Sequence, residues 1–289
     1  MTVYILNIPH ELQPERQPFR YPEYAKDWGV EQDFYAWLKN NPIEESSSGD
    51  ATWHYLPAYW TRWHLNHNYG KEGREHLEEL VKRCILNPEK TFTVCQYDDG
   101  PGVSIKGMKV ALSSRKYLEG VDIPLLATKL PRSILPVRKR WKARFNGRLD
   151  THKVRMEMAE VLQNRKDILI EQGSLKGATY TRSLMSSWVC LAPRGYGGSS
   201  FRFYEAMQVG SVPCLIGEYD TRPFKNMIDW ASCSIYCSDV KHLQDILDLY
   251  SIEKLEYMAK CAYRIYWEKL SFGMWPVLFM DTVAALARD

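Results

Sequence analysis

The sequence contains no apolar run of the ~18–20 residues that a helix needs to cross a bilayer. Its N-terminal stretch has no basic segment ahead of a short apolar run, so a secretory signal peptide is not predicted. The seven cysteines are odd in number and irregularly spaced, which argues against a disulfide framework and for reduced thiols. The net charge of +3 is too small to indicate a polyanionic partner by itself. These absences predict a soluble, cytoplasmic protein with no membrane span.

Short apolar runs of strand length alternate with amphipathic segments of helix length in both halves of the 289-residue chain. One example is the helix predicted over Gly73–Leu86, which is followed by a strand predicted over Thr91–Tyr97. This alternation is typical of an α/β protein with two doubly wound domains, in which ligands bind beyond the carboxyl ends of the strands. Pro131 and Pro136 mark the predicted domain boundary. The predicted domains are residues 1–135 and 136–289.

The most informative stretch is WVCLAPRGYGGSSFRFYEAMQVGSVPCLIG, which covers residues 188–217. It predicts a strand, a glycine-rich loop, a helix and a second strand, the repeating unit of a parallel sheet. The start of a helix attracts anions because its first N–H groups are free and the positive end of the helix dipole lies there. Arg194 and Arg202 flank that start, although a cation there is disfavoured by roughly 0.3–1 kcal/mol. Two arginines in this position therefore predict a strong anion, such as a diphosphate, between them.

Other residues of this stretch fit the same interpretation. Gly195, Gly197 and Gly198 would let the backbone approach the anion closely. Glu205 lies too deep in the helix to cap it, and its carboxylate could accept both hydroxyls of a ribose. The alternative is an ordinary surface helix, with an i,i+3 pair between Arg202 and Glu205 and glycines that only turn the chain.

The segment Lys129–Arg155 is distinctly basic. A nucleic-acid-binding surface is one interpretation of it, and a solvated face beside an anion site is the other. Only Trp141 and Phe145 interleave aromatic rings with the cations, so nucleic acid is not predicted as a partner. Within the segment, Arg148 and Arg155 are the candidates to reach a diphosphate.

The sequence PRGYGGSSFRFYEAMQVGSVPCLI resembles the signature of exostosin-like glycosyltransferases, glycosyltransferase family 47. That pattern is Pro-Arg-Gly, a short gap, Ser-x-Arg, two residues, Glu-Ala, and then Gly-x-x-Pro before a strand. Upstream, Phe145-Asn146-Gly147-Arg148 and Arg155 fit the family's "F-x-G…R" element. Downstream, Pro223-Phe224 and Ile228-Asp229-Trp230 fit its "PF…idW" element. The resemblance is strong over residues 140–250 or so and weak before them.

The resemblance implies a GT-B-type arrangement of two Rossmann-like domains with a cleft between them. The N-terminal domain would face the acceptor, and the C-terminal domain would bind a nucleotide sugar. By analogy with such transferases, a helix over residues 271–289 is expected to cross back onto the N-terminal domain. Arg155 is favoured as a phosphate ligand because it matches the family's arginine after the glycine. The predicted donor-binding residues are Arg148, Arg155, Tyr180, Arg194, Gly195, Tyr196, Gly198, Ser199, Ser200, Phe201, Arg202 and Glu205.

The reaction that the resemblance implies is attack by an acceptor hydroxyl on the anomeric carbon of the nucleotide sugar, with inversion. It needs a stabilised leaving diphosphate and a base for the hydroxyl proton. Asp98 and Asp99 are the first candidates for the base because they end a strand, although an aspartate before a glycine is also ordinary in a turn. Glu75 is the second candidate, since its Gly-Arg-Glu-His context resembles an element of some family members. His67, with its neighbour His64, is the third; structural histidines are common.

No metal or other cofactor is predicted besides the sugar donor itself. Arginines and a helix start could stabilise the diphosphate without a metal. The chain also has no Asp-x-Asp triplet, the usual metal clamp of the other major transferase fold. Cys233 and Cys237 lie four residues apart, but no pair of histidines completes a convincing zinc site.

The motifs do not define the transferred sugar. The family uses mainly UDP-sugars, and the small form without a membrane anchor resembles virus-type members that build glycoprotein glycans. UDP-xylose is therefore the expected donor, and a glycan is the expected acceptor. If the protein is viral, its expected location is the host cytoplasm. The alternatives are a non-catalytic nucleotide-sugar or glycan-binding module, a glycoside hydrolase with paired carboxylates, which the arginine-rich loop does not suit, and a nucleic-acid binder.

Overall fold

Each half of the chain forms its own parallel sheet, as the alternating pattern predicts. The computed structural model describes residues 1–17, 29–41, 47–117, 120–130 and 137–286. They form two units, one of Met1–Pro124 with the segment that begins at Trp275, and one of Leu125–Met274. The α/β class with two parallel sheets is confirmed. The division precedes Leu125, upstream of the predicted boundary at residue 135, whose two prolines, Pro131 and Pro136, lie outside the described residues.

The first unit builds its sheet from short strands joined by helices. Its described strands are β1 (Val3–Ile5), β2 (Trp53–Tyr55), β3 (Thr91–Cys95), β4 (Lys109–Leu112) and β5 (Val121–Asp122). The helices between them are α1 (Val30–Asn40), α2 (Trp60–Asn66) and α3 (Arg74–Cys84). The strands pair in parallel in the order β1-β2-β3-β4-β5. Among these described strands the order never reverses, so each step along the chain moves one strand further across the sheet.

Aromatic side chains fill much of the core of the first unit. The ring of Phe34 on α1 lies 4.9 Å from the ring of Tyr55, which in turn lies 5.3 Å from that of Phe92. Trp60 and Trp63 on α2 are also buried. The stretch from Trp53 to Trp63 is rich in aromatic residues, and core packing accounts for most of them.

The second unit has longer strands and a different strand order. Its strands are β6 (Trp141–Gly147), β7 (Ile168–Gln172), β8 (Ser187–Pro193), β9 (Val212–Ile216) and β10 (Ile235–Cys237). Its helices are α4 (Lys153–Leu162), α5 (Gly177–Met185), α6 (Phe201–Gln208), α7 (Leu243–Asp248) and α8 (Ile252–Ile265), and a π-helical turn, Tyr266–Leu270, continues α8. The parallel order is β10-β9-β8-β6-β7. Because β7 lies on one side of β6 and β8 on the other, the order reverses between β6 and β8, and this fork is where open α/β sheets bind ligands.

The core of the second unit surrounds this sheet on both faces. Phe145 of β6, Leu191 of β8 and Cys214 of β9 are buried in one cluster with Met158 of α4 and Met258 of α8. All seven cysteines of the chain are free thiols, and six of them are buried. The predicted absence of a disulfide framework is therefore confirmed.

The last described helix, α9 (Trp275–Leu286), belongs to the first unit. The indole N–H of Trp275 donates a 2.8 Å hydrogen bond to Asp33 Oδ2 on α1. The ring of Phe279 lies 5.3 Å from that of Phe34. Within the described ranges of the chain, none of the helices combines the length and the apolar character needed to cross a membrane.

Candidate functional site

The glycine-rich loop lies at the fork of the second sheet. It follows β8, runs from Arg194 to Ser200 and leads into α6, whose N-cap residue is Ser200. Within the described residues, the Ser200 side chain makes no capping hydrogen bond to the helix. The N–H of Phe203 donates to the carbonyl of Ser200 at 3.0 Å, and the N-cap side chain leaves the preceding N–H groups to other partners. Such groups make a helix start attractive to anions.

The loop is held in place by the end of β9 and the segment that follows it. The backbone N–H of Arg194 donates to the carbonyl of Ile216, at 2.9 Å. The hydroxyl of Thr221 donates to the carbonyl of Gly198, at 3.3 Å. Thr221 is buried, so this bond is shielded from water. The loop is therefore positioned by the sheet before any ligand binds.

Arg155 on α4 joins the loop after β6 to the loop after β8. Its Nε donates to the carbonyl of Arg194 at 3.0 Å, and its Nη1 donates to the carbonyl of Arg148 at 2.9 Å. Its Nη2 lies 3.5 Å from the carbonyl of Pro193. A side chain on Gly195 would crowd it, since an added Cβ would lie 3.2 Å from the same Nη2. The sequence predicts Arg155 as a phosphate ligand. In the structure most of its N–H groups donate to protein oxygens, and through these bonds Arg155 holds the two loops together.

Arg202, in the first turn of α6, points back to the end of β6. Its Nη2 donates to the carbonyl of Asn146, and its guanidinium carbon lies 4.5 Å from the centre of the Phe145 ring. Gly147 makes this approach possible, because an added Cβ would lie 2.8 Å from Nη2. Its Nε is buried, and it has no partner among the described residues.

Arg155 and Arg202 bring two positive charges to one place. Both guanidinium groups lie over the ring of Phe145, at 5.8 and 4.5 Å from its centre. Among the described residues, no carboxylate forms an ion pair with either of them. Burial, together with the charges of Arg202 and Arg148, lowers the pKa of Arg155 to about 10. Neighbouring cations that repel each other in this way favour the binding of an anion between or beside them.

Arg194 is turned into the protein rather than into solvent, with only 8% of its surface exposed. Its Nη1 donates to Glu218 Oε2 at 2.8 Å, and its Nη2 donates to the carbonyl of Tyr196 at 3.3 Å. Its Nε is buried, and it has no partner in the described part of the chain. Gly217 leaves room for this packing, since an added Cβ there would lie 3.2 Å from Arg194 Cδ. Unlike Arg202, Arg194 thus has a carboxylate counter-ion already.

Glu205 and Tyr180 form a hydrogen-bonded pair behind the loop. The hydroxyl of Tyr180, on α5, donates to Glu205 Oε2. Burial raises the pKa of Glu205, although the Tyr180 bond and the charge of Arg202 act in the opposite direction. Burial and the charge of Glu205 both raise the pKa of Tyr180. Within the described residues Glu205 makes no ion pair with Arg202, so the ordinary surface-helix alternative is not what forms.

The other predicted donor residues divide into buried and exposed ones. Gly198, Ser199 and Ser200 are buried in the loop. Tyr196, within the loop, and Phe201, the first residue of α6, are exposed, with 67% and 47% of their surfaces accessible. Arg148 is also exposed; its Nε and Nη2 donate to the two carboxylate oxygens of Asp150, both at 3.0 Å.

Arg144 is a residue of this region that the sequence did not single out as a site residue. Its Nη1 donates to Ser186 Oγ at 2.8 Å, and its Nη2 pairs with Glu171. It shares with Arg202 and Tyr180 the lining of a cavity of about 10 Å³. The Nε of Arg144, like that of Arg202, is buried, and it lacks a partner among the described residues. A cavity of this size has room for about one water, which could satisfy those N–H groups.

The residues predicted as catalytic bases all lie in the first unit, on separate elements. Asp98 and Asp99 belong to the turn after β3, and Asp99 is half exposed in an ion pair with Lys116. Glu75 is exposed in the first turn of α3. His67 follows α2, and its ring stacks on that of Trp63 at 3.9 Å. In the described chain no hydrogen bond or ion pair joins Asp99, Glu75 and His67.

The two histidines differ in their surroundings. His64 is buried; its Nε2 donates to the carbonyl of Pro101 at 3.0 Å, and burial lowers its pKa to about 4. This is the behaviour of a structural histidine. The Nδ1 of His67 lies 2.8 Å from the carbonyl of Trp63. Because a carbonyl only accepts, Nδ1 carries the proton, and Nε2 of the neutral ring is left as an acceptor.

The model of the Exostosin GT47 domain matches residues 1–254 of this chain. The chain belongs to the exostosin GT47 family. Exostosin-1 of Drosophila melanogaster is 24% identical over 252 residues, which cover 73% of this chain and 32% of that protein. A probable glucuronosyltransferase of Oryza sativa subsp. japonica is 22% identical over 230 residues, which cover 74% of this chain and 55% of that protein. The matches thus span about a third and about half of the length of these two relatives.

Among solved structures, a glycosyltransferase from Rickettsia africae ESF-5 is similar to this GT47 chain over 88% of each chain. The sequences are 9% identical, and the TM-score is 0.42. At this identity and TM-score, the similarity supports no conclusion about the fold beyond the two parallel sheets.

The residues of this GT47 chain that fit the "F-x-G…R" element each have a structural role. The ring of Phe145 carries the guanidinium groups of Arg155 and Arg202. The missing side chain of Gly147 leaves space for Arg202. Arg155 ties the two loops together. In the described residues of this GT47 chain there is no cluster of three or more His, Cys, Asp or Glu that could hold a metal ion.

Proposed function

We propose that this chain is an inverting glycosyltransferase that moves a sugar from a UDP-sugar to a hydroxyl of a glycan. The nucleotide sugar would bind to the second unit, with its diphosphate at the glycine-rich loop and the start of α6. Membership of the GT47 family supports the reaction class, and the arginines around the loop support the anionic donor.

The observation that carries the proposal is the positive charge at the fork of the second sheet. Arg202 and Arg155 lie over one aromatic ring, and the described residues provide no carboxylate as a counter-ion for either. The start of α6 adds N–H groups that its N-cap side chain leaves unbonded. A diphosphate would neutralise these charges and fill these donors at once, which is why a nucleoside diphosphate fits better than a neutral sugar.

The same groups would assist the reaction as well as the binding. When the bond between the anomeric carbon and the diphosphate breaks, negative charge grows on the leaving oxygen. Guanidinium groups that are already held in place stabilise this charge without having to reorient. Arg202 is held by Asn146 and by the Phe145 ring, so it meets this requirement. Arg194 would contribute only after its pair with Glu218 is loosened or shared with the phosphate.

The exposed rings of Tyr196 and Phe201 are suited to the remainder of the donor. Flat aromatic surfaces at the rim of a pocket bind the apolar faces of sugars and nucleobases. The carboxylate of Glu205 would reach the ribose with the oxygen that Tyr180 leaves available. We propose UDP-xylose as the sugar donor. We also propose that the transfer reaction needs no divalent metal ion.

The second candidate function is a non-catalytic module that binds a nucleotide sugar or a glycan. The separation of Asp99, Glu75 and His67 on different elements favours it, because no preformed acid–base pair is present among these residues. Such a module would bind UDP without transferring a sugar. Binding and turnover therefore have to be measured separately.

The test is a thermal-shift screen of the wild-type chain against nucleoside diphosphates and UDP-sugars, followed by a transfer assay with the stabilising donor. A ligand at 100 times its Kd adds about 2.7 kcal/mol to the free energy of unfolding. We expect this stabilisation from UDP and from UDP-xylose, with no change on addition of EDTA. Stabilisation without sugar transfer would favour the binding module, and no response to any nucleotide would refute both the transferase and a module that binds a nucleotide sugar.

A further inference from the structure

The loop after β6, residues 148–152, lies beside the glycine-rich loop at the fork of the second sheet. It leads from β6 into α4, just as the glycine-rich loop leads from β8 into α6. The two loops are close together, since a Cβ added to Gly195 would lie 3.7 Å from Thr151 Cγ2. The side chain of Arg155 donates to carbonyls of both loops. An anion bound at the glycine-rich loop therefore lies near the loop after β6 as well.

His152, the last residue of this loop, is the N-cap residue of α4. The backbone N–H of Val154 donates to His152 Nδ1 at 3.3 Å. Because a backbone N–H only donates, Nδ1 is the unprotonated nitrogen, and Nε2 of the neutral ring carries the hydrogen. Within the described residues this Nε2 makes no hydrogen bond, and it is not enclosed by the protein. The half-buried ring thus presents an N–H group that a ligand can use.

The charges around His152 are those of the anion site. Burial lowers the pKa of His152, and so does the positive charge of Arg194. Lys153 and Arg155 lower it further, whereas the charge of Glu218 opposes them. Glu218 is the carboxylate that accepts the 2.8 Å hydrogen bond from Arg194 Nη1. The ring is therefore neutral at neutral pH, and it adds a hydrogen-bond donor to this region without adding a further positive charge.

We propose that His152 is a further residue of the donor site, and that its Nε2–H donates a hydrogen bond to the diphosphate bound at the glycine-rich loop. This inference rests on the function proposed above. The diphosphate then lies between the starts of two helices, α4 and α6, and both helix dipoles favour a negative charge there. A hydrogen bond to a charged phosphate oxygen strengthens as negative charge grows on the leaving diphosphate. His152 therefore assists the transfer step as well as the binding of the donor.

The test replaces the histidine by one residue that keeps the N-cap and by one that loses it. Serine is a preferred N-cap residue, so His152→Ser keeps an acceptor for the Val154 N–H but removes the Nε2–H donor. We expect its Kd for UDP to rise about 10-fold, the effect of one lost hydrogen bond to a charged group, while the ligand-free chain unfolds no earlier than wild type. His152→Ala loses both functions. It should bind UDP as weakly as His152→Ser and unfold about 2–4 °C below it.

The matched control is His242→Ser, the same chemical change at an exposed histidine of the same unit. His242 precedes α7 and makes no capping hydrogen bond to it. Its substitution should leave the Kd for UDP within twofold of wild type. Nitrogen NMR of the histidine rings gives a second measurement, in which the signal missing from His152→Ser identifies His152. We expect the Nε2–H tautomer in the ligand-free chain and a downfield shift of that N–H proton when UDP is added.

A purely structural histidine gives the opposite results. If His152 only caps α4, His152→Ser binds UDP as tightly as the wild-type chain, and the Nε2–H signal does not move on addition of UDP. Either result, in a wild-type chain that does bind UDP, would overturn this inference and leave the proposed function standing. If the wild-type chain binds no UDP, the proposed function fails and this inference fails with it.

Discussion

Replacement of Arg202 by alanine is the most direct test of the anion site. In the ligand-free chain the substitution removes a charge-assisted hydrogen bond to the carbonyl of Asn146, which is typically worth about 1.5–3 kcal/mol. It also removes a guanidinium that lies 4.5 Å from the centre of the Phe145 ring, a contact worth about 0.5–2 kcal/mol. The repulsion between Arg202 and Arg155 disappears as well, which offsets part of the loss. We expect the free energy of unfolding to fall by about 1–2 kcal/mol.

We expect Arg202→Ala to weaken the binding of the donor more than it lowers the stability of the ligand-free chain. If one charge-assisted bond to the diphosphate is worth about 2 kcal/mol, its loss raises the Kd for UDP about 30-fold. At a UDP concentration of 100 times the wild-type Kd, the wild-type chain gains about 2.7 kcal/mol of stability, whereas the variant gains only about 0.9 kcal/mol. Thermal unfolding at several UDP concentrations measures both values. Arg202→Lys should also bind weakly, because an ammonium cannot reproduce the planar fork.

The matched control is Arg165→Ala. Arg165 belongs to the same unit and donates to two carboxylates, those of Asp167 and Asp248. Its loss should lower the stability of the ligand-free chain but leave the gain on UDP binding near 2.7 kcal/mol at the same concentration. If Arg202→Ala retains that full gain, the diphosphate does not bind at this arginine, and the reasoning from the unpaired charges is wrong.

Three further predictions concern stability and order. Tyr180→Phe leaves Glu205 without its hydroxyl donor, so urea unfolding should show a loss of about 1–3 kcal/mol, whereas the exposed Tyr196→Phe should stay within about 0.5 kcal/mol of wild type. Arg155→Lys keeps the charge but loses the fork that bonds two backbone carbonyls, so amide hydrogen exchange in the glycine-rich loop should accelerate. The pKa of Glu31 is raised in the folded chain. Its contribution to the free energy of unfolding is therefore present below pH ~4.5 and is lost as the pH rises through the pKa that Glu31 has in the folded chain. Glu31→Gln should therefore be more stable than wild type at pH 7–8, with a gain that shrinks towards pH 4; a gain that is equal at both pH values would contradict the raised pKa.

Several features of this protein follow from short sequence patterns alone. The α/β class follows from the alternation of apolar strands and amphipathic helices, since hydrophobic periodicity is a local property. The loop and helix after β8 follow from three glycines and the helix pattern that begins at Phe201. Arg194 and Arg202 could be recognised as unusual because they lie where the helix dipole disfavours a cation. The family, too, could be identified from these residues.

The partners of these residues depend on packing between distant segments, which no local pattern encodes. Arg155 matches the family's arginine, yet its contact with the carbonyl of Arg194 exists only because α4 and the loop after β8 meet at the fork between β6 and β8. Tyr180 reaches Glu205 across 25 residues of sequence. In the sequence Glu31 is an unremarkable acidic residue in the first turn of a helix. Only the approach of Gln96, 65 residues later, buries it and bonds one of its oxygens while the other is left without a partner. The sequence determined which residues carry charge, and the tertiary structure decided which of those charges are compensated, because compensation depends on distances between side chains that are remote along the chain.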